Sequence, residues 1–388
     1  MGLQYREEIK ISGVIEMKIM FAAGGTGGHI NPALAVAGEI RERYPDAEIL
    51  FVGTKDKMEA KLVPAAGFDF TTIKISGFQR QLTPENIIRN IKTVWYLLTC
   101  GRRVKKIIKN FRPDVVVGFG GYVSGPVVRM AAKMGIPTAI HEQNAYPGIT
   151  NKALAKQVDK VMLTAAEAEK YLAPKNPVLV TGLPVRGEML RADRDISRAE
   201  LGVKDNQKLV LSMGGSLGAA TINNAMLDII SDNVNRDDLY FLHATGQYGL
   251  WFPDKLKEKG VDPDGTPNLE IREYISDMHR CMSAADIVIC RAGASTLSEL
   301  QAMGKASILI PSPNVAENHQ YHNAMALVNK KAALIIEEKN LTKEAMQELF
   351  LSLADDDVNR KTIELAAKAM STDDAKEKIA DTVISLIK

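Results

Sequence analysis

One phrase occurs twice in this chain, and it limits the possible folds more than any other feature. Lys18 opens KIMFAAGGTGG and Lys208 opens KLVLSMGGSLG. Each is a lysine, an apolar run, Gly-Gly, a hydroxyl residue, one further residue and Gly, with a helical pattern behind it. An apolar run that ends in glycines before a helix is how an open α/β domain begins, so two such openings predict two domains of similar build. Any α/β chain can produce look-alikes, but here the match runs the length of both phrases. At 388 residues the chain is also too long for one comfortable core and long enough for two.

Further apolar runs alternate with helical patterns, which predicts an α/β fold of doubly wound parallel sheets. The strand-like runs are 18–23, 48–53, 114–120 and 138–142 in the first half, and 209–215, 240–246, 286–293 and 306–311 in the second. Helical patterns include 32–44 and 223–234. The domain boundary is expected near Val180–Pro184, where a strand runs into Gly and Pro. The final stretch reads as a capped amphipathic helix able to pack on either domain. Met17 opens the first strand phrase, so residues 1–16 are expected to be an extension without a function.

Three glycine turns follow apolar strands: GGTGG (24–28), GFGGYVSG (118–125) and GGSLG (214–218). Glycine permits positive φ and close backbone approach, which an anionic or sugar ligand needs at a helix start. The dinucleotide fingerprint fails, because its last glycine falls on Ile30 and the second strand ends without a ribose-binding acid. The ATP-type loop fails as well, for no Gly-Lys-[Ser/Thr] follows. Ligands of open α/β sheets bind beyond the carboxyl ends of the strands, so two such domains imply a shared cleft. A formal net charge of only +2 argues against a dedicated nucleic-acid binder. Cys100, Cys281 and Cys290 have no CxxC spacing, which suits a reducing compartment. No apolar run approaches bilayer length and no signal-peptide core is present, so the protein is expected in the cytoplasm or attached at a membrane surface.

Ordered phrases then carry a specific resemblance: GGTGGHINPALA (24–35), GFGGYVSGP (118–126), HEQNAYPGITNKALA (141–155), GLPVR (182–186), GGSLGA (214–219), CRAGASTLSE (290–299) and HQYHNA (319–324). Together, from Met17 onward, they resemble the MurG family of bacterial glycosyltransferases. The resemblance implies a GT-B fold of two Rossmann-like domains. It places an acceptor and membrane-side domain over 17–182, a UDP-sugar domain over 183–370, and a terminal helix over 371–388 returning to the first. It implies inverting β-1,4 transfer of N-acetylglucosamine from UDP-N-acetylglucosamine to lipid I, the undecaprenyl-pyrophosphoryl N-acetylmuramoyl-pentapeptide, giving lipid II for peptidoglycan. No cofactor, no strictly required metal and no nucleic acid enter, and the expected place is the cytoplasmic face of the bacterial cell membrane. Carried over by motif, the donor site comprises Thr26, Gly27, Gly28, Asn144, Arg186, Ser216, Ile275, Ala294, Ser295, Thr296, Leu297, Ser298, Glu299 and Gln320. Ser216 is expected at the pyrophosphate, Glu299 at the ribose, the Ile275 backbone at uracil and Gln320 at the sugar. Tyr122 is expected to contact the acceptor. Two positions depart from the family pattern: Leu217 stands where Gln is frequent, and Leu183 where Asn is common. Each lost amide removes a potential hydrogen bond of about 0.5–1.5 kcal/mol.

Inversion by in-line attack needs a base for the acceptor hydroxyl and positive potential for the departing diphosphate. His29, at the end of the first glycine turn, is the candidate base, with Glu142 as runner-up; a histidine at a helix start can equally be a packing group. His319 and His322, at i, i+3 near Glu317, invite a zinc reading that lacks further ligands. The segment 86–112 mixes Trp95, Tyr96 and Leu97 with Arg102, Arg103, Lys105, Lys106, Lys109 and Arg112. It reads either as a core helix with a solvated basic side or as a surface docking on anionic membrane. Rival functions are a UDP-N-acetylglucosamine epimerase on the same scaffold, a non-catalytic UDP-sugar sensor, and a glycolipid synthase using diacylglycerol.

Overall fold

The computed structural model describes residues 17–75 and 83–387, so the extension expected over 1–16 lies outside the described residues. Among the described residues thirteen strands form two sheets: β1 (Lys18–Ala22), β2 (Glu48–Gly53), β3 (Asp69–Thr72), β4 (Val115–Gly118), β5 (Thr138–Glu142), β6 (Lys160–Leu163) and β7 (Leu179–Val180), then β8 (Lys208–Met213), β9 (Leu239–Ala244), β10 (Leu269–Arg272), β11 (Ile287–Cys290), β12 (Ala306–Leu309) and β13 (Leu334–Ile335). The sheet orders are β3-β2-β1-β4-β5-β6-β7 and β10-β9-β8-β11-β12-β13. Every pair in them is parallel. This is the doubly wound architecture expected, built twice.

The inner strands explain why. All four residues of β4 (VVVG) and of β11 (IVIC) are buried, as strands covered by helices on both faces must be. Phe21 and Phe51 stack in the first core with ring centroids 5.0 Å apart, and each such buried side chain stabilises by about 1.5–3 kcal/mol. The strands that the sequence hid are chiefly β3, β10 and β13, three of the four sheet edges; the fourth edge, β7, is the strand expected before Gly182. An edge is covered on fewer sides, so DFTT and LEIR need no continuous apolar run. Inner β6 was hidden for another reason: it is four residues long and opens on exposed Lys160.

The helix Ala375–Ile384 packs on the first domain, against the helix Gly27–Arg43. Ile379, Ala380 and Val383 are fully buried in its core. Arg43 pairs with Asp381 at 2.6 Å and Lys376 with Glu39 at 2.7 Å. The expected cap is absent: Asp374 makes no capping bond and instead pairs with Lys378 at 2.9 Å. The chain therefore crosses between domains twice. The crossings touch where Gly182, at φ +77°, lies so close to Thr372 that a Cβ would meet it at 2.5 Å.

Candidate active site

Both sheets reverse strand order once, between β1 and β4 in the first and between β8 and β11 in the second. A crevice opens at such a point because the neighbouring loops leave in opposite directions. At the first crevice the turns after β1 and β4 meet backbone to backbone. Gly25, Gly120 and Gly121 all have positive φ, and a Cβ on Gly121 would lie 2.1 Å from the Gly24 carbonyl oxygen. Glu59 organises this meeting from beneath. Fully buried, it accepts hydrogen bonds from the backbone N–H of Gly25 at 3.1 Å, from that of Thr54 at 3.0 Å and from the Thr54 hydroxyl at 2.7 Å. Nothing in GTKDKMEAKL, a charged helix start, signals that role.

His29 lies in the first turn of the helix Gly27–Arg43, half-buried, its ring against Gly120 and its Nδ1 2.9 Å from Gln143 Oε1. Thr26 and Gly28 beside it are exposed, and Gly27 is half-buried. Tyr122, at the start of the helix Gly121–Lys133, is 57% exposed and available to a ligand. Glu142, the runner-up base, is buried, and its two oxygens accept from Asn144 N and Nδ2, Gly148 N and Asn151 Nδ2 at 2.8–3.2 Å. A carboxylate with its lone pairs so engaged shapes the HEQN loop.

At the second crevice Gly215, Gly218 and Gly246 have positive φ, and a Cβ on Gly218 would meet Thr245 O at 2.2 Å. The turn leaves Ser216 and Leu217 exposed, with Ser216 O and Leu217 O accepting from the backbone of Gln247 and Tyr248. Beside it begins the helix Ala294–Met303, whose N-cap Gly293 offers no side chain. The first N–H groups of Ala294, Ser295 and Thr296 have no hydrogen-bond partner among the described residues, the arrangement in which a helix start can accept an anion. Leu297 and Ser298 turn inward and are buried. Glu299, 9% exposed, accepts from Arg186 Nε at 2.9 Å. Burial raises its carboxyl above the ordinary range, and Arg186 opposes that rise. Ile275 buries its side chain, while its peptide N–H and C=O have no hydrogen-bond partner among the described residues. Gln320 accepts from Ser312 N through Oε1 at 2.9 Å, and its NH2 group has no hydrogen-bond partner among the described residues. Leu183 is core, 2% exposed, so its missing amide is a packing matter.

The two crevices share one cleft. Asn323, on the helix His319–Val328 of the second domain, accepts from Ala145 N at 2.8 Å and donates to Asn144 Oδ1 at 3.1 Å and Ala292 O at 3.2 Å. The ring of His322 stacks on Tyr146 at 4.7 Å. His319 donates through Nδ1 to Ala316 O, and its pKa is lowered by burial, with the charges of Glu142 and His29 acting on it from across the cleft. A cavity of about 410 Å³ continues from Gln143 and Ala145 past Ala294 and Ser298 to Thr372, lined from both domains. Gln143 and Asn323 stood inside the phrases HEQN and HQYHNA without a role assigned; a polar residue just beyond a buried strand was the available signal. No cluster of three metal-ligating side chains occurs among the described residues.

The helix Pro84–Phe111 buries Cys100, Val104 and Ile108 at i, i+4 spacing and exposes Arg102, Arg103, Lys105, Lys106 and Lys109, with Arg112 just beyond. Arg103 Nε donates to Thr72 O at 2.9 Å. The side chains of Trp95 and Leu97 lie outside the described residues. No helix among the described residues is long and apolar enough to cross a membrane.

Comparison with known proteins agrees with this fold. Residues 19–163 match the glycosyltransferase family 28 N-terminal domain and residues 209–382 its C-terminal domain. A UDP-N-acetylglucosamine–N-acetylmuramyl-(pentapeptide) pyrophosphoryl-undecaprenol N-acetylglucosamine transferase of Acetivibrio thermocellus is 43% identical over 96% of this chain and 99% of its own. The protein of that name in Halalkalibacterium halodurans is 42% identical over 94% and 98%. The crystal structure of Acinetobacter baumannii MurG superposes with a TM-score of 0.78 at 27% identity, covering 95% of this chain and 99% of that one. A UDP-GlcNAc 2-epimerase of Neisseria meningitidis shares the fold at a TM-score of 0.63 and 13% identity, over 95% of this chain and all of that one.

Proposed function

The chain belongs to the family of UDP-N-acetylglucosamine–N-acetylmuramyl-(pentapeptide) pyrophosphoryl-undecaprenol N-acetylglucosamine transferases, within glycosyltransferase family 28, and from that premise we propose how its cleft performs the transfer. The enzyme moves N-acetylglucosamine from UDP-N-acetylglucosamine to the lipid-linked muramoyl-pentapeptide of peptidoglycan synthesis. The observation that carries the reading is the pair of strand-order reversals opening on one cleft. One offers a histidine, the other a helix start whose first N–H groups have no hydrogen-bond partner among the described residues.

The donor lies on the second domain, residues 183–370. Its diphosphate meets the amino end of the helix Ala294–Met303 and the 214–218 turn, where Ser216 adds a hydroxyl. As the UDP bond breaks, these fixed dipoles stabilise the growing charge without a metal. Glu299 accepts from the ribose hydroxyls, and Arg186 opposes the burial that raises its pKa. The free peptide of Ile275 reads uracil, and the NH2 of Gln320 donates to the sugar. Asn144 and the 26–28 turn close the donor from the first domain. The acceptor binds residues 17–182, beside Tyr122, and the helix of 371–388 belongs with this unit. His29 takes the proton of the attacking hydroxyl as the anomeric carbon inverts. The exposed cations on Pro84–Phe111 and at Arg112 support docking on an anionic membrane at the cytoplasmic face, each worth about 1 kcal/mol.

The test incubates purified protein with UDP-N-acetylglucosamine, with and without lipid I, and follows UDP release. Release that requires lipid I is expected; product without lipid would turn the reading to an epimerase, and donor binding without any release to a sensor. Equal flotation with neutral and anionic vesicles would remove the electrostatic docking.

A further inference from the structure

Gln143 is held in one orientation by what surrounds it. Its Nε2 lies 3.1 Å from the carbonyl oxygen of Phe119 and 3.1 Å from that of His141. Carbonyl oxygens only accept, so the NH2 end must face them and Oε1 must point the other way. A third neighbour agrees. His141 Nε2 sits 2.9 Å from Gly182 O and must donate there, while burial pushes the pKa of this ring down to about 4 and keeps it neutral. His141 Nδ1 is therefore a lone pair, and it accepts from Gln143 Nε2 at 3.1 Å.

Oε1 of Gln143 is 2.9 Å from His29 Nδ1. An amide oxygen cannot donate, so Nδ1 of His29 carries a hydrogen in the neutral ring as in the charged one. In the neutral ring the lone pair then sits on Nε2, which has no hydrogen-bond partner among the described residues. We propose that Gln143 is a positioning residue that locks His29 as the Nδ1–H tautomer, leaving the Nε2 lone pair to the acceptor hydroxyl. The inference rests on His29 as base and names what makes that ring competent. The opposite tautomer would present an N–H to the hydroxyl and could accept nothing. A carboxylate in this place would orient the ring and also bring a charge; the amide orients without one. Because His141 ties the same network to Gly182, the lock is anchored at the crossing between domains.

Uniform 15N labelling of histidine tests this, since long-range 1H–15N correlation distinguishes the tautomers. The chain has six histidines, and His29 is assigned by the signal lost in His29→Gln. The wild-type signal is expected to be Nδ1–H at pH 8. In Gln143→Met, similar in length but without the acceptor, it should shift towards Nε2–H. kcat should then fall roughly 10- to 100-fold, as when a metal-bound histidine loses its orienting partner, with the donor KM little changed. An Nε2–H signal in the wild type overturns the lock, and that spectrum decides even if Gln143→Met fails to fold. A folded Gln143→Met with unchanged tautomer and kcat overturns it equally. Near-normal turnover in His29→Gln, beside an Nδ1–H wild-type spectrum, removes the base reading and leaves the tautomer assignment standing.

Discussion

Gly121→Ala probes the closest approach in the first crevice. The new Cβ would stand 2.1 Å from Gly24 O and 2.9 Å from Gly24 C, where ordinary contact begins near 3.4 Å, so the two backbones must part by more than 1 Å. The substitution also places a side chain at φ +75°. That backbone strain costs about 1–3 kcal/mol, and the overpacking about 1–3 kcal/mol more. Gly25→Ala is the built-in control: φ is +98°, but nothing lies within 4 Å of the added Cβ, so only the strain remains. Calorimetry, which separates the transitions of two domains, should therefore show Gly121→Ala melting below Gly25→Ala. At about 2–4 °C per kcal/mol for a domain of this size, the contact alone amounts to a further drop of roughly 2–12 °C. Turnover should fall with it, because His29 packs on Gly120 and a 1 Å displacement of a reacting group can cost about 100-fold. If Gly121→Ala melts with Gly25→Ala or above it, the two turns do not meet as described and the first crevice loses its geometry.

Further outcomes are expected elsewhere. His29→Ala should keep donor binding, measured by calorimetric titration, and lose most turnover. Arg186→Ala removes the charge that opposes the raised pKa of Glu299. Donor binding is lost as pH falls through that pKa and the carboxylate protonates, so the acid limb of binding against pH should move to higher pH in the variant. Ile379→Ala empties a fully buried site and should destabilise the first domain by about 2–5 kcal/mol in urea unfolding, with the second domain's transition unmoved. His141 and His243 are buried, with pKa values pushed down to about 4 and about 3. The unfolded chain thus binds more protons than the folded one below pH 6.5, and stability must fall on acidification. Between pH 7 and pH 5 each should contribute a loss of about 2 kcal/mol. A melting temperature that does not change over that interval would contradict the burial of both rings.

What the sequence could determine by itself follows from where the physics is local. An inner parallel strand is covered on both faces, so VVVG and IVIC must be apolar throughout and are visible as such. A turn at positive φ before a helix needs glycine, so GGTGG, GFGGYVSG and GGSLG announced both crevices. The phrases around Asn144 and Glu299 marked residues whose distant partners are Asn323 and Arg186. Tertiary structure alone decided the edge strands β3, β10 and β13, whose apolar demand is weak, and the partners of polar groups brought together from distant positions. Glu59 shows this best, a residue in a charged run that becomes the buried acceptor beneath Gly25. Four N–H donors converge on Glu142, a satisfaction that no spacing in the chain can express. Gln143 acquires its direction from two carbonyl oxygens, and which end of an amide faces which neighbour is a property of three-dimensional packing alone.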